Sequence, residues 1–130
     1  MMTRQSISDD QAQHAIDNGE FGQEVIASAP FVAVVLTQSW CPQWIVMDRW
    51  LRGFERDGKP AELDLCVAEY VYDKSPISGA FRRFKEEVYR NGQIPYIRFY
   101  RDGRLVSQSN YVGSRDFLSV FATAAEGQSS

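Results

Sequence analysis

Cysteine occurs only twice in this 130-residue chain, at Cys41 and Cys66, and histidine once, at His14. Two cysteines cannot form a disulfide scaffold, and they suit a reducing compartment. With a single histidine, no metal cluster can assemble at these separations without carboxylates, so no metal and no organic cofactor are expected. No apolar run approaches a membrane span. The polar start, Met1 to Ser6, lacks the apolar core of a signal peptide, so a cytoplasmic location is expected. There are no repeats, low-complexity tracts or Gly-rich phosphate loop. The net charge of −3 gives no reason to expect nucleic-acid or membrane-surface binding.

The patterning that remains predicts one α/β domain. Ser8-x-x-Gln11 forms a capping box for a short helix ending near Asn18-Gly19, within an N-terminal extension of residues 1–20. Phe21, Val25 and Ile26 fit a second short helix, ended before Pro30. Phe31 to Thr37 is apolar throughout, as in a central strand covered on both faces. A helix opened by Pro42 buries Trp44, Met47, Leu51 and Phe54 and ends at Asp57-Gly58. Residues 63–72 form the next strand. The following helix buries Ile77, Phe81, Phe84 and Val88 and stops at Asn91-Gly92, while Arg82, Arg83, Lys85, Glu86 and Glu87 read as its solvated face. Strands 94–100 and 105–108 flank Asp102-Gly103, a hairpin signal. Ser114 caps a last helix that buries Phe117, Leu118 and Phe121, and residues 126–130 form a loose tail. His14 is expected at the surface.

The chemistry concentrates at Trp40-Cys41-Pro42-Gln43-Trp44. A buried strand ends just before the cysteine and a helix opens just after it. That arrangement is expected to expose a sulfur where helix-terminal N–H groups favour a thiolate. Cys66 lies early in the second strand, several residues of about 3.3 Å each from the level of Cys41, and is read as a small core hydrophobe.

The stretch Trp40 to Trp44 is similar to the Trp-Cys-Gly-Pro-Cys of the thioredoxin family. Three further features carry the likeness: Tyr70-Val71-Tyr72-Asp73 at a strand end, Ile94-Pro95 before an Asp-Gly hairpin, and Val112-Gly113 before the last helix. The resemblance spans residues 21–121. It implies a thioredoxin-like mixed sheet, parallel core strands plus a C-terminal antiparallel hairpin, with helices on both faces. It also implies a cis proline at Pro95, leaving the backbone of Ile94 unpaired and facing Cys41. An extended substrate would then be held by Trp40, Pro42, Trp44, Ile94, Pro95, Val112 and Gly113. The motif Cys-Pro-x-x also resembles that of glutaredoxins. Trp44 stands where the family has its resolving cysteine. The family's buried acid falls at Val35 and its buried lysine at Glu69.

Two functions follow as expectations. One is single-thiol exchange through Cys41, forming a mixed disulfide with a protein, a peptide or glutathione. The alternative is a non-catalytic module holding a protein partner in the same groove.

Overall fold

The computed structural model describes residues 1–128, which form five strands and five helices. They are β1 (Met2–Ser6), α1 (Asp9–Asn18), α2 (Gln23–Ile26), β2 (Phe31–Thr37), α3 (Pro42–Asp57), β3 (Leu65–Val71), α4 (Ser78–Glu87), β4 (Tyr96–Arg101), β5 (Arg104–Ser109) and α5 (Ser114–Gln128). The sheet order is β1-β3-β2-β4-β5. β1 and β2 flank β3 in parallel, and β4 and β5 run antiparallel. This is the mixed sheet expected from the sequence.

Alternation along the central strands sorts the core into two slabs. Val32, Val34 and Leu36 of β2 join Ala68, Tyr70, Phe81 and Phe84 on one face. Ala33 and Val35 join Trp44, Met47, Leu51, Phe117 and Phe121 on the other. The Ser8–Gln11 capping box forms in both directions, and Gly19 ends α1 at φ 82°. Asp102 and Gly103 both have positive φ (49° and 78°), as a two-residue hairpin turn of the primed type requires.

Several expectations need correction. The N-terminal segment is not a helix alone. Met2–Ser6 adds β1 to the outer edge of β3, with Met2 and Ile7 buried. Its polarity hid it, because Arg4 reaches across to Glu69 of β3 and to Asp48 and Glu55 of α3 instead of packing as a hydrophobe. α4 ends at Glu87, before Asn91-Gly92, so Val88 is 54 % exposed and Tyr89 takes the core position. Lys85 is not on the solvated face, being 1 % exposed, whereas Arg82, Arg83, Glu86 and Glu87 are exposed as expected. Phe54 and Leu118 are only partly buried. The helix α5 continues through Gln128, so most of the expected loose tail is helical, and residues 129 and 130 lie outside the described residues.

A polar lattice sits within the α4-side slab. Arg98 of β4, 7 % exposed, donates from Nε to Tyr100 Oη at 2.9 Å, from one terminal nitrogen to Tyr96 Oη at 3.0 Å, and from the other to Glu20 Oε2 at 3.0 Å. Its guanidinium lies 3.8 Å from the centre of the Tyr89 ring. Burial pushes the phenols of Tyr89 and Tyr100 well above the ordinary tyrosine range, and that of Tyr70 up to about 12. These groups therefore hold protons in the folded state that the unfolded chain releases above about pH 10. Stability is complete below that pH and falls as pH rises toward 12. The urea midpoint should decline over this window, with tyrosinate absorbance from these residues appearing only as the chain unfolds. Tyrosinate absorbance that rises ahead of unfolding would contradict it.

Candidate functional site

Ser39 and Trp40 link the end of β2 to the cysteine. Asp73, just beyond β3, holds this link: Ser39 donates from its backbone N to Oδ1 at 2.8 Å and from Oγ to Oδ2 at 2.6 Å. Both contacts keep the Asp73 carboxyl below its usual range, the side-chain hydrogen bond most strongly. Trp40 Nε1 donates to Gln38 Oε1 at 2.7 Å, and the Trp40 side chain stands out from the surface, 63 % exposed. In the sequence Asp73 reads as a turn residue and as part of a likeness. Its anchoring role shows only once the ends of β2 and β3 lie side by side, with Tyr72 N donating to Thr37 O at 3.0 Å.

Cys41 is the N-cap residue of α3 and Pro42 its first helical residue. Pro42 has no N–H to leave unpaired, so the first-turn N–H groups of this sixteen-residue helix that lack an intrahelical acceptor are those of Gln43 and Trp44. Across from it the Ile94–Pro95 bond is cis, and Cys41 Sγ donates to Ile94 O over 3.8 Å. Ile94 precedes the β2–β4 ladder, which begins at Tyr96. A second cis bond, Lys59–Pro60, was not anticipated.

The expected site residues gather unevenly. Cys41, Trp44, Ile94 and Val112 belong to one apolar cluster, with Cys41 and Trp44 buried and Ile94 and Val112 partly so. Pro95 is buried, Pro42 and Gly113 are exposed, and a Cβ at Gly113 would meet nothing within 4 Å. The exposed sulfur expected from the sequence needs correction: Cys41 is only 4 % exposed, because it is part of the buried apolar cluster that also holds Trp44, Met47 and Phe117. Ile45, in the first turn of α3, adds a further exposed apolar side chain (49 %). A separate concavity is lined by Gln38, Tyr72, Asp73, Ser78, Gly79 and Arg82, and by none of the expected site residues.

The surrounding groups match the departures seen in the sequence. Val35 is fully buried and apolar. Glu69, its partner across β2 and β3, is bound by Arg4 of β1. Burial raises the Glu69 carboxyl above its usual range, and Arg4 opposes the rise. Cys66 pairs in register with Val32, far along the strands from Cys41, and both thiols are free and buried. His14 is exposed. Among the described residues, no group of three or more His, Cys, Asp or Glu is placed to hold a metal, and no helix is long and apolar enough to cross a membrane.

One buried cation borders the site. Lys85 Nζ donates to the backbone oxygens of Asn91 and Gln93, at 2.8 and 2.6 Å, in the loop that leads into Ile94–Pro95. Burial pushes its amino group down to about 8, and Glu86 acts in the opposite direction. A helical spacing of four from Phe81 was the signal that could have placed it inward.

No family model matches the sequence, and no curated protein matches it. Solved structures do. Trxlp from Edwardsiella tarda is 25 % identical, with a TM-score of 0.56 over 92 % of this chain and 97 % of its own. Thioredoxin f from spinach chloroplast is 11 % identical, with a TM-score of 0.63 over 95 % of this chain and 87 % of its own. Thioredoxin O1 from Arabidopsis thaliana is 10 % identical, with a TM-score of 0.61 over 92 % of this chain and 96 % of its own. The strand order and these likenesses together show that the chain has a thioredoxin-like fold, with Cys41-Pro42-Gln43-Trp44 at the start of α3.

Proposed function

We propose that the protein carries out thiol–disulfide exchange through one sulfur, that of Cys41, with a protein or peptide partner. The observation that supports this most directly is the placement of Cys41 Sγ at the head of α3 and opposite Ile94 O, 3.8 Å away. Cys41 is thus the N-cap of a sixteen-residue helix, whose opening amides and dipole favour an anionic partner segment nearby. Trp40, Pro42, Ile94, Val112 and Gly113, backed by the buried Trp44 and Pro95, form the surface on which an extended segment lies, its backbone pairing with Ile94. The thiolate attacks one sulfur of the partner disulfide. A Cys41–S–S–partner bond forms, the old S–S bond breaks, and the other partner sulfur leaves as a thiolate that takes a proton from water. With Trp44 in place of a second thiol, release requires an outside thiol such as glutathione. Its thiolate attacks the partner's sulfur, frees Cys41 as a thiolate and leaves a thiol–partner mixed disulfide. A reducing compartment such as the cytoplasm would keep both free cysteines in the required state.

The alternative is a non-catalytic module that holds a protein partner on the same surface. The 4 % exposure of Cys41 favours it, as does the apolar Val35 where an acid would assist proton transfer. Alkylation separates the two. Under single-thiol exchange, iodoacetamide should modify Cys41 of the folded protein at least about tenfold faster than Cys66. Mixed-disulfide formation by exchange with a disulfide-bonded peptide should vanish in Cys41→Ser. Equal and slow modification of both cysteines, appearing only with unfolding, would leave the binding module as the function.

A further inference from the structure

We propose that Lys85, acting with an Asn91–Asn110 amide pair, is the positioning residue of the Cys41 surface, fixing the loop that carries Ile94–Pro95 against the loop that carries Val112–Gly113. The inference rests on the reading of that surface as the seat of a partner's extended segment. It concerns how the seat is held together.

The argument starts from a cost. A lysine ammonium at 1 % exposure has lost its water, and a solvated lysine would be the cheaper choice at a helix end. The oxygens around it all come from one short loop. Nζ donates to Asn91 O at 2.8 Å, to Gln93 O at 2.6 Å and to Asn91 Oδ1 at 3.4 Å. These bonds to a charged donor are stronger than neutral ones, and they tie the residue directly before Ile94 to α4. Gln93 N donates to Asn91 Oδ1 at 3.0 Å and closes the loop on itself. Arg90 takes a left-handed φ of 58°, turning the chain back so that these oxygens face Lys85.

The same loop is bound to its neighbour. The Asn91 and Asn110 side-chain amides each donate to the other at 3.1 Å. Asn110 Nδ2 also donates to Pro95 O at 3.2 Å. Asn110 is the first residue after β5 and leads straight into Tyr111, Val112 and Gly113. Lys85 thus reaches both edges of the surface through one or two hydrogen bonds. A set of bonds that only stabilised the domain would not need to converge on the two loops flanking Ile94–Pro95. Their convergence instead fixes the distance between Ile94, which would pair with the partner's backbone, and Val112, which would bear on its side chains.

The test uses two reagents with a common leaving group. One is 5,5′-dithiobis(2-nitrobenzoate), which needs no extended backbone. The other is a cysteine-containing peptide carried as its mixed disulfide with thionitrobenzoate. Wild type should react faster with the peptide. Lys85→Met and Asn110→Leu should each lower the peptide rate about tenfold while the small reagent stays within about twofold. Asn110 lies outside the helices and strands, so that variant carries the test if Lys85→Met does not fold. A peptide rate unchanged in Asn110→Leu, or a proportional fall with both reagents, overturns the positioning role. Wild type showing no preference for the peptide overturns the reading of the surface itself, and this inference with it.

Discussion

Replacing Arg98 by methionine is expected to lower the unfolding free energy by about 3 kcal/mol, toward the lower end of the range for breaking one side of a buried ion pair. Arg98 is 7 % exposed and serves three oxygens and two aromatic rings, those of Tyr89 and Tyr100, together. Methionine fills the volume but donates nothing. The Tyr96 and Tyr100 hydroxyls lose a donor, although Tyr96 Oη still donates to Gln108 Oε1 and Tyr100 Oη still donates to Glu20. Glu20 is left as an uncompensated carboxylate. Its side chain is 35 % exposed and regains some water, which is why the upper end of the range is not reached. Adding Glu20→Gln to Arg98→Met should recover part of the loss, because removing both charges costs less than stranding one. Urea titration of the three proteins measures this. A loss below about 1 kcal/mol for the single variant would show that the lattice is hydrated and contributes as a surface pair does.

Trp44→Cys is expected to change activity and stability in opposite directions. It places a second thiol in the first turn of α3, three residues after Cys41. A mixed disulfide at Cys41 could then be displaced from within the molecule. The gain from an intramolecular nucleophile should raise reduction of insulin disulfides by dithiothreitol at least about a hundredfold over wild type. The cost is the volume of a buried indole. Trp44 is 7 % exposed within the slab that holds Met47, Phe99 and Phe117. Removing it should cost about 3–5 kcal/mol, read as a lower urea midpoint. A folded variant with wild-type turnover would place the limit elsewhere, at the low exposure of Cys41 or at the apolar Val35.

The sequence was most informative where one residue type has one physical use. A serine followed three residues later by glutamine, Asp-Gly between apolar runs, and a proline soon after an apolar strand each specify a local geometry, and each produced the element expected. It was least informative where polar side chains do the work of apolar ones. β1 carries Thr3, Arg4, Gln5 and Ser6, and its place in the sheet comes from backbone pairing with β3 and from the reach of Arg4 to Asp48 and Glu69. Hydropathy cannot register either. Lys85 was misplaced for the same reason, since its charge is met by backbone oxygens that only the loop after α4 supplies. Residue types placed Cys41 at the start of α3 and Ile94–Pro95 before β4, but the burial of the sulfur and the anchoring of Ser39 by Asp73 depend on how strand ends align in space.

β4 presents Tyr96, Arg98 and Tyr100 to one slab and Ile97 and Phe99 to the other. A slip of one residue in its pairing with β2 would drive a guanidinium between Phe117 and Phe121 and leave Glu20 facing an isoleucine or a phenylalanine. No neighbouring alignment of this strand is therefore habitable. The arginine that tempers the core with charge also acts as the key by which β4 recognises its own seat in the sheet.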